Sequence, residues 1–462
     1  MPSCGRAGKS ARAPLAWGGA NGVRYLGVSL SSSTIENIEA SSAAPNDSPR
    51  TIAPAVWWTI VLAGVVAGAY YLVQVLEHRQ IMMHLIDLSV YQIAGDRVSH
   101  HVSVYDSPLL GNTRGVWEFV YTPFAALLFV PLRWLHGDLY TWVGGLGNFV
   151  MLAASCWVAL SMLGYRRDRR LAIAAVAIAG LLMWCEPIRM TMAFGQVNIL
   201  LLLIVIVDMA LPDTSRWKGV LTGIAAGIKL TPAFFVLYLL VTRRYRAAAN
   251  AVGALVATMI IGFAVLPKDS LTFWGGAFMD PQRVGVPGNL SNESLRGLIA
   301  RRVGVEGAHQ LLWLVGAAAM AALCLYLARR FSQTGRELAA VVCVGVTMTA
   351  VSPFSWVHHW VWLAPLLIYM GDLAVRRRGF IAPIGFLLTA LVVSSGLLTF
   401  YDPTLVSIFD YADRARPSVL YRNAYLWLTM VLLAAAAVAL RSSSKPDAEP
   451  AEHPADERVR QV

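Results

Sequence analysis

The stretch that decides the fold is residues 54–91, PAVWWTIVLAGVVAGAYYLVQVLEHRQIMMHLIDLSVY. Residues 54–76 carry no charge and, as a helix, are long enough to cross ~30 Å of hydrocarbon, which takes about 20 apolar residues. Immediately afterwards the chain turns polar and aromatic. Asp87 stands about ten residues beyond the span, between Ile86, Leu88, Val90 and Tyr91. Such an apolar setting near a membrane surface adjusts a carboxylate for proton abstraction. The competing reading is a helix cap or a solvated loop acid.

Working outward, the same apolar signal recurs near 119–135, 139–163, 171–187, 195–212, 219–242, 247–267, 308–328, 338–352, 360–375, 379–400 and 422–440. Over 462 residues the chain is 57% apolar and only 14% charged, where a soluble protein carries about 25% charged residues. A soluble globular enzyme is excluded, and the predicted fold class is an all-α polytopic membrane protein. Residues 53–440 form one membrane domain. Residues 1–52, rich in Ser, Ala, Gly and Arg and unlike a signal peptide, and 441–462, polar and proline-bearing, lack the apolar surface to fold and are expected to be disordered cytoplasmic tails. The five cysteines (Cys4, Cys156, Cys185, Cys324, Cys343) include no CxxC pair, which argues against a disulfide framework or a zinc site and for core packing.

The net charge of +11 comes from 38 Lys+Arg against 27 Asp+Glu. In a soluble chain it would point to nucleic acid, but here the cations cluster between apolar runs, so no nucleic-acid partner is expected. The clusters are Arg166, Arg167, Arg169 and Arg170; Arg216 and Lys218; Arg243, Arg244 and Arg246; Arg329 and Arg330; Arg376 to Arg378; and Arg441. All are expected to face the cytoplasm, leaving 77–117, 188–195, 268–307, 353–359 and 401–421 outside. Two places fail to alternate. The stretch 118–165 holds two apolar segments but makes one net crossing, so one of them is juxtamembrane or partly inserted. The segment 219–242 has cations at both ends and a break at GIKLTP (227–232), which fits a broken re-entrant hairpin with Lys229 near its tip; non-helical backbone at such depth requires surrounding protein or water.

On this topology several polar groups share the outer side: Gln196 and Asn198 in FGQVN (194–198), Lys229, Asn292, Glu293 and Ser294 in GNLSNESL (288–295), Arg296, and His358 with His359 in SPFSWVHHW (352–360). A cation within an apolar segment is by default a site candidate, although Lys229 can also snorkel. The histidines would serve as phosphate donors, as proton carriers, or as interfacial residues beside Trp356 and Trp360. Gln196, Asn198 and Asn292 are of a type that also holds membrane helices together. His78, His84, His100 and His101 offer metal ligands, but their irregular spacing favours a solvated loop. The chain has no GxxxxGK[ST] loop, no HExxH and no separate soluble stretch for a nucleotide domain. A glycosyl or phosphoryl donor is therefore expected to be lipid-borne.

Taken in order, LIDLSVYQIAG (85–95), VYDSPL (104–109), WEFVYTPF (117–124), FGQVN, GIKLTP followed by RRYRAA (243–248), NESLRGL and SPFSWVHHW resemble the actinobacterial polyprenol-phosphate-mannose-dependent mannosyltransferases of the GT-C superfamily, glycosyltransferase family 87, over roughly residues 55–440. The resemblance implies a GT-C fold of about 11–13 hydrophobic helices with a structured first extracytoplasmic loop, in the cell membrane. It implies transfer of mannose from polyprenyl-phosphate-mannose, on the extracytoplasmic face and with inversion, to a mannosylated lipid such as a phosphatidylinositol mannoside or the lipomannan and lipoarabinomannan backbone, in an α-1,2 linkage. Asp87 matches the family's catalytic acid and is expected to be the general base. Lys229 and His359, with His358 and Arg296 behind them, would stabilise the departing phosphate, while Gln196, Asn198, Asn292, Tyr91 and Glu118 would orient sugar or acceptor. No cofactor or metal ligand is assigned, and a divalent metal stays open. Two positions depart from the family: Glu293 stands where a Gln is frequent, and Pro123 stands alone where two prolines are common. The rival readings are a decaprenyl-phosphate-arabinose-dependent arabinofuranosyltransferase, a lipid-linked sugar transporter or flippase, and a structural scaffold.

Overall fold

The computed structural model describes residues 49–112, 117–289, 291–304, 306–394 and 423–442. Most of 1–52, most of 441–462 and the expected outer segment 401–421 lie outside the described residues. Among the described residues the regular structure is helical, with two isolated β-bridges and no strand. Four helices among the described residues are long and apolar enough to cross a membrane: Pro54–Glu77, Gly137–Met162, Tyr245–Val265 and Ala308–Gln333; a bent pair makes a fifth if counted as one span. Shorter apolar helices lie among them, including Asn198–Ala210, Glu337–Val351 and Ile381–Val393. The chain is an all-α polytopic membrane protein. Glu337–Val351 is buried along almost its whole length, with the Trp362 ring pressed against Gly345, and forms the centre of the packing.

The ambiguity at 118–165 is resolved by length. Pro123–Trp134 is a short apolar helix, whereas Gly137–Met162 has 26 residues and a rise of about 39 Å at 1.5 Å per residue. The second segment is long enough to span and the first is not. Thr122 caps the short helix, accepting from the Ala125 amide at 3.2 Å, and Pro123 fills its first position.

The hairpin expected at 219–242 is present. Val220–Ile228 ends at Lys229, which is extended (φ −142°, ψ 129°). A 3-10 turn at Thr231–Ala233 follows, and Phe234–Val241 leads away. The two feet are held together: the Asp213 carboxylate lies 3.0 Å from Lys218 Nζ before the hairpin and 3.0 Å from Arg244 Nε after it. Gly219, Gly223 and Gly227, four residues apart on one helix face, meet Ala247, Ala251 and Thr258 of the Tyr245–Val265 helix so closely that a Cβ on any of them would clash. Small residues at this spacing let membrane helices approach to backbone contact.

One expected outer loop is different. All of 188–195 but Gly195 falls within a helix, Glu186–Phe194, set at 86° to the preceding Arg169–Leu182 and buried at eight of its nine positions. Pro187 starts this second helix; the charge rule alone marks a break between spans here, and Glu186, Arg189 and Thr191 find a place in a buried helix only once their partners are known. The 77–117 segment likewise contains a helix, Ile86–Ser99, with Asp87 in its first turn.

Candidate active site

A cavity of about 1050 Å³ receives side chains from most of the sequence motifs, among them Asp87, Tyr91, Glu118, Gln196, Lys229, His358 and His359. The backbone at Leu85 adopts the left-handed region (φ 54°) and its amide donates to the Ala193 carbonyl at 2.7 Å, which docks the start of the Asp87 helix onto the end of Glu186–Phe194. Gly195, at φ +67°, follows there, and a Cβ on it would stand 2.8 Å from Leu88 Cβ. The FGQVN glycine is what allows this contact.

That docking brings Gln196 to Asp87. Gln196 Nε2 donates to Asp87 Oδ2 at 2.9 Å. Its Oε1 accepts from the Tyr121 hydroxyl at 2.7 Å, from the Tyr91 hydroxyl and from the Val197 amide at 3.0 Å. With the oxygen occupied by donors, the amide group has one orientation, and its N–H is fixed on the carboxylate. Burial pushes the Asp87 carboxyl up to about 6, against the lowering effects of the Gln196 hydrogen bond and the Lys229 charge.

Lys229, at the hairpin tip, donates to Asn198 Oδ1 at 3.1 Å, lies 3.0 Å from His359 Nε2 and sits 5.5 Å from the centre of the Tyr121 ring. Thr122 anchors the neighbouring strand of chain by donating to the Gly227 carbonyl. Asn198 Nδ2 and Thr191 Oγ1 both donate to the His358 carbonyl, at 2.9 and 3.1 Å, which fixes the Val357–His359 turn. Burial first and the Lys229 charge second hold both imidazoles well below the usual histidine range, so they are neutral. His359 Nε2 then accepts from Lys229 and supports the cation, where the sequence had placed it on the phosphate directly.

Three expected site residues stand apart from the lining, the first being Asn198, which lies behind Lys229 and spends its amide on that ammonium and the His358 carbonyl instead of on a sugar. Asn292 is buried and spends its amide on backbone: Nδ2 donates to the Pro287 and Pro353 carbonyls at 2.9 and 3.3 Å, and Oδ1 accepts from the Ser355 and Ser294 amides at 2.9 and 3.3 Å. It joins the 287–294 loop to the 353–356 segment and does not line the cavity. The Arg296 guanidinium packs over Trp313 at 5.1 Å and Phe354 at 5.7 Å, also away from the lining. Conversely, Tyr121 and Arg283 line the cavity without having been singled out. Tyr121 was signalled only by the WEFVYTPF motif, and Arg283 lies in an ordinary polar loop. Of the four outer histidines, His84 packs on Phe194 at 4.6 Å and His100 lies 3.4 Å from Asp96; no group of three His, Cys, Asp or Glu gathers among the described residues.

A carboxylate pinned by an oriented amide, facing a lysine raised on a broken helix within a membrane domain, is the arrangement of an integral membrane group-transfer enzyme. The chain belongs to glycosyltransferase family 87, whose sequence profile matches residues 119–353. It is 31% identical over 348 residues, 72% of this chain and 81% of the relative, to a polyprenol-phosphate-mannose-dependent alpha-(1-2)-phosphatidylinositol mannoside mannosyltransferase of Mycobacterium tuberculosis. The similarly named protein of Mycolicibacterium smegmatis is 30% identical over 425 residues, 86% of this chain and 93% of that one. A polyprenol-phosphate-mannose-dependent alpha-(1-2)-phosphatidylinositol pentamannoside mannosyltransferase of Mycolicibacterium smegmatis is 33% identical over 330 residues, 70% of this chain and 79% of that one. No solved structure matches. The protein is a multi-pass membrane glycosyltransferase, which sets aside the transporter and scaffold readings.

Proposed function

We propose that the chain transfers mannose from polyprenyl-phosphate-mannose to a phosphatidylinositol mannoside, with inversion and in an α-1,2 linkage, from a site open to the extracytoplasmic face. The observation that carries the reading is the opposition, within one cavity, of Asp87 on Gln196 to Lys229 on Asn198 and His359; the relatives' names supply the donor and acceptor. Asp87, pushed up to about 6 by burial, stays mostly ionised at pH 7 and is a stronger base than an ordinary carboxylate at about 3.9. It takes the proton of the acceptor hydroxyl as that oxygen bonds to the anomeric carbon. The bond from that carbon to the phosphate oxygen breaks on the opposite face, and the electron pair leaves with the lipid phosphate. Lys229 offsets the charge that develops there. Each of these steps uses side chains of the cavity.

The test supplies the purified protein with polyprenyl-phosphate-mannose and polyprenyl-phosphate-arabinose in parallel, with a phosphatidylinositol mannoside acceptor, and determines the linkage formed. Transfer of mannose in an α-1,2 linkage is expected. Preferential use of the pentosyl donor would replace the reading with the arabinofuranosyltransferase one.

A further inference from the structure

Part of the cavity wall is left unused by the chemistry above. Trp117 and Glu118 approach from WEFVYTPF, Arg283 and Gly285 from the 280–289 loop, and Trp356 from the segment before the histidines. Glu118 Oε2 and Arg283 Nη2 lie 3.1 Å apart, with side chains 4% and 11% exposed. Arg283 Nη2 also donates to the Tyr105 carbonyl at 3.1 Å, while its Nε is buried without a partner. Trp117 holds the left-handed backbone region at φ 54°, a strained conformation for a bulky residue, and the residue is 37% exposed. The Trp356 indole faces Gly285, where a Cβ would come 3.7 Å from the ring. A void of about 1050 Å³ lies at the top of the about 300–1,000 Å³ that encloses a drug-sized ligand, so a single sugar phosphate does not fill it.

On the reading given above, we infer that Trp117, Glu118, Arg283 and Trp356 form a subsite that holds an uncharged hexose of the glycolipid acceptor and presents its hydroxyl to Asp87. The carboxylate and the guanidinium balance each other, so this wall has no excess charge to attract a second phosphate. Together they place a fixed carboxylate and a guanidinium in the cavity wall, which suits sugar hydroxyls. The two indoles supply apolar faces for the C–H side of a pyranose. Lys229, whose contacts Asn198 and His359 are neutral, keeps the anion at the other end.

The experiment varies short-chain polyprenyl-phosphate-mannose and a short-chain phosphatidylinositol mannoside separately against Glu118→Gln, Arg283→Lys and Trp117→Leu. Loss of one buried hydrogen-bonding partner is expected to raise the acceptor KM about tenfold, with donor KM and kcat within about threefold of the parent. The rise in melting temperature that the acceptor gives the parent protein shrinks in the same variants, which reads binding without turnover. An unchanged acceptor KM with an unchanged thermal response, or a rise confined to the donor KM, overturns the subsite. If Arg283→Lys does not fold, Glu118→Gln and Trp117→Leu carry the same test with the guanidinium intact. Failure of the parent protein to use the mannosyl donor would instead strike the proposed activity, and the acceptor's thermal response would still decide the subsite.

Discussion

Two polar regions of this apolar chain invite comparison. One is the Asp87, Gln196 and Lys229 group lining the cavity. The other lies behind the 287–294 loop, where Asn292 holds four backbone groups, Arg301 donates to the Asn289 and Asn292 carbonyls at 2.7 and 2.9 Å, and Glu186 accepts from the Tyr425 hydroxyl at 2.5 Å. Residue types are much the same in both. The difference is where their hydrogen bonds go: Asn292, Arg301 and Glu186 spend theirs on backbone and neighbours, while the first region presents a carboxylate and an ammonium to a void. Polarity in a membrane helix bundle is thus a signal of cost that something must offset, and only the neighbouring space decides whether that something is protein or ligand.

The largest effect expected from breaking the contrast is at Asp87. Asp87→Asn should lower transfer from radiolabelled donor by about 10²–10⁴-fold, the usual contribution of a general base, with the melting temperature retained; near-parental turnover would remove the base from the mechanism. The parent's kcat/KM should also fall as pH drops below about 6, because the active form is the ionised carboxylate and protonation abolishes it. Lys229→Ala comes next, with the donor KM raised about tenfold or more through loss of a charge-assisted contact and the acceptor KM little moved; unaltered donor kinetics would mean that the ammonium snorkels. Asn292→Ala should do the reverse, costing about 1–3 kcal/mol of stability by orphaning buried backbone groups, read as a lower melting temperature with both KM values near those of the parent. The smallest effect is expected at Glu293. Burial pushes its carboxyl well above the usual range, which favours the neutral form that glutamine mimics, and Glu293→Gln should shift stability by less than about 1 kcal/mol. A marked loss would show that the buried region needs a charge there.

The same contrast explains what the sequence could disclose. Lys229 was legible because a cation inside an apolar run is rare, and the hairpin because cations flank both its feet and Pro232 follows its tip. Asp87 was legible from its apolar neighbours and the motif around it. Asn292 carried an equal signal but a different role, since which carbonyls an amide meets is a tertiary fact. Arg283 gave no signal at all: arginine in a polar loop is ordinary, and its importance comes from meeting Glu118, far away along the chain. The Glu186–Phe194 helix was hidden for a related reason, its polar side chains being satisfied only by elements that arrive later.

The clasp at Asp213 has a consequence for how deep the chemistry sits. A nine-residue helix such as Val220–Ile228 climbs only about 14 Å, less than half the thickness of a ~30 Å hydrocarbon layer. With both feet tethered at one rim, the lysine is hoisted partway and no further. The clasp and the helix length together set where the ammonium stands, and a longer Val220–Ile228 would carry it past Asn198 and His359.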